Sequence, residues 1–471
     1  MEDVQGRIVP TAGQFGSSAP SPPTSVSRVN GSPVRVGLLG CGTVGSALIQ
    51  LVQEQADGIE ARTGMRLEIV RVAVRNASKD RGVDLAPDRF TNDAAAVVTD
   101  PDVDVVIEVI GGIEPARQLI LDALKAGKPV ITANKELLAN VGGEIFATAE
   151  SSGVDVLFEA AVGGGIPLVR PLRESLLGEP IDQVMGIVNG TTNYILTRMT
   201  EAGVDYAEAL AEAQELGYAE ADPTADVEGF DAGAKIAILA SIAFGARVVA
   251  GDVYHEGISG ITADDISFAT RNGYVVKLVA IAEKLVVGPA EQGSGGIELA
   301  VRVHPVMLRS THPLASVRGS FNAVFVQGAA VGELMFYGRG AGGNPTASAV
   351  LGDLIDAALN LRKGSSASVG ALGEVPIRPI DELESEYYVH LDVVDQPGVL
   401  SAVAGVFGTH GVSISSMEQE GLGHEADLVF ITHRALERDV QATLRDLRDL
   451  DVVHHVGSVI RVLDDEPDLT P

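Results

Sequence analysis

Residues Val34 to Gly45 read Val-Arg-Val-Gly-Leu-Leu-Gly-Cys-Gly-Thr-Val-Gly. The mostly apolar run Val34 to Leu39 reads as a buried strand. It ends in Gly40-Cys41-Gly42-Thr43-Val44-Gly45, a G-x-G-x-x-G turn, and Ser46 to Val52 opens a helical pattern. Strand, glycine turn and helix in this order form the context of a dinucleotide site. Gly40 allows the tight turn, Gly42 lets a pyrophosphate approach the backbone, and Gly45 lets helix and strand pack closely. The helix N-terminus, at Thr43 and Val44, faces the phosphates. An ordinary strand–turn–helix connection is the competing reading.

The chain around this turn has 471 residues, enough for about two or three domains, and is 46% hydrophobic. No apolar run reaches the length of a membrane span. The first 33 residues are rich in Ser, Pro and Gly without an apolar core, which reads as a disordered tail rather than a signal peptide. A single cysteine excludes an internal disulfide and points to a reducing cytoplasm. A net charge of -30 argues against nucleic-acid binding and demands a locally basic pocket for any anionic ligand.

Downstream, strands alternate with helices: Leu67 to Val74, Asp104 to Ile110, a helix from Glu114 to Ala126 stopped by Gly127, Pro129 to Thr132, and Val154 to Phe158. That alternation predicts an α/β, doubly wound parallel sheet with ligands at the carboxyl ends of its strands. Arg75 and Lys79 follow the second strand, where a basic residue suits the phosphate of NADP and an acidic one the ribose of NAD; a solvated surface charge is the alternative. Lys135 follows the fourth strand and is a site candidate by position. After the fifth strand, Glu159-Ala-Ala-Val162-Gly-Gly164-Gly-Ile166-Pro167 is a constrained loop. It suits either a hard cation, held by a carboxylate and carbonyls, or a hinge between domains.

From about Pro167 the pattern changes. Ile181 to Val188 has strand character, helices start near Tyr194 and Tyr206, and an acidic segment runs from Tyr218 to Phe230. In the next helix, Asp231 and Lys235 stand at i and i+4 on one face. The helix is otherwise nearly all apolar, so that face is partly buried, and a buried lysine can act as an acid or base near neutral pH.

Taken together, these stretches resemble the homoserine dehydrogenases that carry a C-terminal ACT domain. The residues that carry the resemblance are the Gly40 to Gly45 turn, Thr132-Ala-Asn-Lys135, Glu159 to Pro167, Gly186-Ile-Val-Asn-Gly-Thr-Thr-Asn-Tyr194, and Leu216-Gly-Tyr218 through Asp231 to Lys235. The match covers Val34 to the C-terminal end. The resemblance implies reversible reduction of L-aspartate 4-semialdehyde to L-homoserine with NAD(P)H. It makes Lys235 the proton donor and acceptor at the substrate oxygen, with Lys135 assisting and Asp231 orienting Lys235. It puts Glu220 and Asp226 on the substrate, and a sodium ion on the Glu159 side chain and the carbonyls of Val162, Gly164 and Ile166.

The remaining chain fits this frame. Gly273 to Lys284 reads as a helix, and Leu299 to Val303 and Ala323 to Gln327 as strands. Phe336 to Thr346 is a second glycine-rich loop leading a helix, Ala347 to Leu361, and its Gly340 and Gly342 are cofactor candidates. Beyond a Gly-, Ser- and Pro-rich linker, Tyr387 to Leu463 reads as βαββαβ and resembles an ACT domain. Its loop Asp395 to Leu400, with Gly398 and Val399 opening a helix, matches the usual amino-acid loop; threonine is the effector the resemblance suggests, and pure oligomerisation is the alternative role.

The expected architecture is therefore a disordered tail (1–33), a Rossmann-type dinucleotide domain (34–166), an α+β catalytic and dimerisation domain (167–340), a helix returning to the first domain (341–362), a linker (363–384) and a ferredoxin-like ACT domain (385–466). A homodimer or homotetramer is expected. Aspartate-semialdehyde dehydrogenase is a poor rival, because it needs a cysteine nucleophile and Cys41 sits inside the glycine turn. A non-catalytic amino-acid sensor is the rival from another class, and the retained Lys135, Glu220, Asp231 and Lys235 count against it.

Overall fold

The computed structural model describes residues 32–287, 296–367, 369–370, 372–421 and 425–463. The tail expected over 1–33, except its last two residues, and the final ACT residues 464–466 lie outside the described residues. The first sheet is formed by β1 (Val34–Leu39), β2 (Leu67–Ala73), β3 (Phe90–Thr91), β4 (Val105–Glu108), β5 (Val130–Thr132) and β6 (Val156–Leu157). Their order is β3-β2-β1-β4-β5-β6, all parallel. The strand order reverses between β1 and β4, which opens a crevice at their carboxyl ends. The core strands are Val-, Ile- and Leu-rich because helices cover both faces.

The second sheet holds β7 (Ile181–Ile187), β8 (Tyr254–His255), β9 (Tyr274–Val287), β10 (Gly296–Arg309), β11 (Phe321–Gly328) and β12 (Gly332–Arg339). It continues directly into the C-terminal module: β13 (Glu384–Val394), β14 (Ile414–Gly421), β15 (Glu425–Thr432), β16 (Ala435–Leu436) and β17 (Val453–Leu463). The path is β12-β11-β7-β9-β10-β17-β13-β15-β14, with β8 beside β10 and β16 beside β13. The join is a parallel pairing of β10 with β17, Val306 to Arg461 through Leu308 to Leu463. Helices Val399–Thr409 and Glu437–Arg448 close one face of the C-terminal module over Leu391, Val403, Phe430 and Leu444. This is the ferredoxin-like βαββαβ module.

Two expectations need correction. The segment from Gly273 to Lys284 is no helix: Tyr274 to Val287 is strand β9, paired along its length with β10. Its centre is buried on both faces, so the apolar run shows no alternation, and periodicity cannot separate such a strand from a buried helix. Its density of Val and Ile was the usable signal. Likewise Phe336 to Arg339 belongs to edge strand β12, and the glycine-rich loop proper starts at Gly340.

The helix after that loop, Gly343–Lys363, returns to the first sheet. Its Ala347, Val350, Leu354 and Ala358 share one core with Leu38, Leu48 and Ile107. That return brings the second glycine loop beside the first.

Candidate active site

The glycine turn has the shape its sequence predicts. Gly40 adopts φ +102°, and a Cβ there would sit 2.8 Å from the carbonyl oxygen of Val109. At Gly45 a Cβ would fall 2.4 Å from the Gly40 carbonyl, so only glycine lets helix Thr43–Glu54 start this close to the strand. Above Gly42 nothing lies within 4 Å of the added carbon, and the helix has no side-chain cap. An open backbone at an uncapped helix start fits a pyrophosphate.

Thr43, Ser46 and Gln50 form one wall of a groove whose other wall is Arg339 and Ala341 to Pro345. Gly342 adopts φ +123°, and a Cβ on Gly343 would meet Thr43 at 3.0 Å. Val44 is half-buried in the helix start, and Arg75 and Lys79 are exposed beyond β2. Their loop is tied by Arg81, which donates to the carbonyls of Lys79 and Asn76.

The same glycine loop leads into a second cleft. Lys135, Asp231, Lys235, Glu220 and Asp226 line it together with Asn189, Gly190, Asn322, Gly340 and Gly342. Lys235 lies in the apolar helix Phe230–Phe244 and is 9% exposed. Its ammonium donates to Asp231 Oδ2 at 2.6 Å and to the Val188 carbonyl at 2.6 Å. Lys135 reaches the other oxygen of the same carboxylate at 2.8 Å, with its side chain 44% exposed toward the cleft. Burial pushes the Asp231 carboxyl upward, but Lys235 and Lys135 outweigh it and hold it well below the ordinary carboxylate range. For Lys135, burial lowers and Asp231, with Asp226 behind it, raises; the net is an ammonium held above its ordinary value. Two ammoniums thus share one carboxylate, and the Lys135 ammonium faces the cleft, with Asp226 and Glu220 also in its wall.

Several positioning groups are not evident from the sequence alone. Asn189 caps helix Gly190–Ala202 through its oxygen, and its amide donates to Asp226 Oδ1 at 2.6 Å and Asp231 Oδ2 at 2.8 Å. Its place just before a glycine and a helical run was the legible sign of a cap. On the other side, the fully buried Glu108 accepts from the amides of Ile110 and Gly111 and from the Thr132 hydroxyl. Thr132 accepts from the Asn134 amide, and Asn134 caps the helix that begins at Lys135. This chain of bonds fixes where Lys135 emerges.

The Glu159 loop differs from its expectation. The Glu159 carboxylate is not turned to a cation: it accepts from the backbone amides of Leu168, Val169 and Arg170. Gly163 and Gly164 adopt φ +70° and +57°, so the loop does reverse sharply. Only backbone carbonyls, including those of Val162, Gly164 and Ile166, are left as donors suited to a hard cation. In the C-terminal module, Gly398 adopts φ +97° at the start of helix Val399–Thr409; Asp395 and Leu400 are exposed and Val399 is buried. No helix among the described residues is long and apolar enough to cross a membrane.

A dinucleotide turn opening onto a carboxylate shared by two lysines defines an oxidoreductase that acts on a CH–OH group with a nicotinamide cofactor. Comparison with known proteins narrows this class. A family profile described as homoserine dehydrogenase matches residues 167–355, the NAD binding domain of homoserine dehydrogenase matches 40–159, and an ACT domain matches 387–452. A homoserine dehydrogenase of Corynebacterium glutamicum is 50% identical over 448 residues, covering 95% of this chain and 99% of that one. The crystal structure of a homoserine dehydrogenase from Thiobacillus denitrificans superposes with a TM-score of 0.84 at 40% identity, covering 92% of this chain and 99% of that one. A hyperthermophilic archaeal homoserine dehydrogenase mutant in complex with NADPH matches with a TM-score of 0.58 at 29% identity, over 70% of this chain and 98% of that one. The chain belongs to the homoserine dehydrogenase family.

Proposed function

We propose that this homoserine dehydrogenase works with NADP in preference to NAD and that Lys235 and Lys135 act on the substrate oxygen. The supporting observation is the pair of ammoniums on Asp231, opening to a cleft that shares Arg339, Ala341 and Gly342 with the cofactor groove. When bound, the reduced cofactor supplies the hydride to the aldehyde carbon of L-aspartate 4-semialdehyde. Charge then grows on the oxygen, and the Lys235 and Lys135 ammoniums stabilise it. Lys235 donates the proton that makes the hydroxyl of L-homoserine and takes it back in the reverse reaction. Asp231, fixed by Asn189, is a positioning residue that keeps both lysines aimed at the cleft. Exposed Glu220, with Asp226, offers carboxylate to the substrate ammonium.

Arg75 and Lys79 would receive the phosphate on the adenosine ribose, in keeping with the NADPH complex of the archaeal relative. The carbonyls of Val162, Gly164 and Ile166 would hold a monovalent cation, sodium by the resemblance, with the Glu159 carboxylate bracing the loop through its three amides. The Asp395 to Leu400 loop would take the carboxylate of an amino-acid effector, threonine first, at a helix start. Edge strand β12, with Met335 and Tyr337 exposed, would pair with a second copy in a dimer or tetramer.

The test is NADPH oxidation with aspartate semialdehyde, repeated with NADH, with threonine, and with sodium replaced by a bulky organic cation. NADPH turnover that exceeds NADH turnover, falls with threonine and needs the small cation agrees with every part. Equal use of both cofactors removes the roles of Arg75 and Lys79, indifference to threonine removes the effector, and indifference to the cation removes the metal site.

A further inference from the structure

The side chain of Asn322 is 1% exposed, and neither its oxygen nor its nitrogen has a hydrogen-bonding partner among the described residues. A buried carboxamide with both ends unpaired is costly unless a ligand satisfies it. Asn322 is the second residue of β11, opposite Gly338, and contributes to the wall of the catalytic cleft. Two glycines flank it. A Cβ on Gly340 would land 2.2 Å from the carboxamide, and one on Gly190 would come within 3.5 Å of its oxygen and 2.8 Å of the Ser320 carbonyl. Gly340 belongs to the loop that also walls the cofactor groove. Gly190 follows Asn189, which holds Asp226 and Asp231. The amide therefore stands where the cofactor side of the cleft meets the catalytic side.

We infer that Asn322 recognises the carboxamide of the nicotinamide ring and so sets which face of the ring meets the substrate. The inference rests on the cofactor reading above. An unpaired donor and an unpaired acceptor in one plane match a ligand group that is itself both acceptor and donor. The substrate carboxylate only accepts and its ammonium only donates, whereas a carboxamide does both. Asn322 would donate from Nδ2 to the ligand carbonyl and accept at Oδ1 from the ligand N–H.

The test uses calorimetric titration of the full chain with NADP and with its acetylpyridine analogue, whose methyl ketone keeps the acceptor and lacks the donor. Wild type should bind NADP about tenfold or more tightly than the analogue. Asn322→Ala should weaken NADP about 10- to 100-fold and bring the two ligands to similar affinity. Asn322→Asp, which preserves the volume and removes the donor, should weaken both ligands and serves if the alanine variant fails to fold. An Asn322→Ala variant that keeps the wild-type preference for NADP over the analogue, or an Asn322→Asp variant that binds both ligands as tightly as wild type, overturns the inference. So does a variant that binds both ligands normally and raises only the KM for aspartate semialdehyde. Failure of wild type itself to bind NADP would instead overturn the cofactor reading.

Discussion

Two buried ionic clusters use the same kinds of groups to opposite ends. In the catalytic cleft, one carboxylate, Asp231, serves two ammoniums, Lys235 and Lys135. At the join of the two sheets, one guanidinium, Arg461, serves two carboxylates. It donates to Glu437 at 3.0 and 2.8 Å and to Glu256 at 2.6 Å, between the rings of Tyr254 and Tyr387. Burial would lower the Arg461 pKa, but Glu256 and Glu437 outweigh it and raise it above the ordinary value. From the other face of β13, the buried Asp265 accepts from Tyr388 at 2.9 Å and from Ser458 at 2.6 Å. The difference is in what the excess charge faces. Lys135 reaches into an open cleft, where a developing oxyanion can use its ammonium. Arg461 and Glu437 are enclosed by packed rings and strands, with Glu256 at the rim, and the cluster acts as a fastener between the C-terminal module and the catalytic sheet.

The comparison breaks if the fastener proves dispensable. Arg461→Met leaves Glu437 buried without its cation and should cost about 3–5 kcal/mol in urea unfolding, while kcat of the folded fraction stays near wild type. A stability change under about 1 kcal/mol would make the join a packing contact only.

A third buried carboxylate sharpens the contrast through pH. Asp353, on the returning helix, accepts from the Glu159 amide at 2.8 Å and from Arg170 at 3.1 Å. Burial pushes its pKa up to about 7, opposed by the Glu159 amide, Arg170 and Arg173 and aided by the Glu159 carboxylate. Its folded pKa lies above the unfolded value of 3.8. Its contribution to stability is therefore complete below that pH and is lost as pH rises toward 7. Asp353→Asn should gain on wild type across this window by up to about 4 kcal/mol. Thermal unfolding at mildly acidic and at neutral pH measures it; a difference independent of pH would mean Asp353 is ionised throughout.

Within the cleft, Lys135→Ala should lower kcat about 100-fold, since Lys235 still carries the proton. An unchanged kcat would confine Lys135 to orienting Asp231. The smallest effect belongs to the exposed end of β2. Arg75→Ala should weaken NADPH about tenfold and leave NADH nearly unchanged, the size expected of one exposed charge-assisted contact. Equal loss for both cofactors would move the phosphate contact elsewhere.

Much of this was legible from the residues. The Gly40 to Gly45 turn declares itself because only glycine tolerates its backbone and its close packing. Asp231 and Lys235 pair by helical spacing alone. What sequence could not supply was the meeting of Lys135 with Asp231, which depends on two domains closing on each other, or the commitment of the Glu159 carboxylate to three amides in its own loop. The pairing of β10 with β17 is made by backbone groups, which no side-chain pattern announces. Strand β9 was misread because burial on both faces erases the alternation that marks a strand. Asn322 stays invisible in sequence for a related reason: its unpaired state is a property of its surroundings.

The most direct measurement is single-turnover NADPH oxidation by Lys235→Ala with saturating aspartate semialdehyde, alongside a binding titration of NADPH. The chemical step should slow about 100- to 10,000-fold while the NADPH Kd stays within about twofold of wild type. A chemical step at the wild-type rate would contradict this and remove Lys235 from the proton transfer.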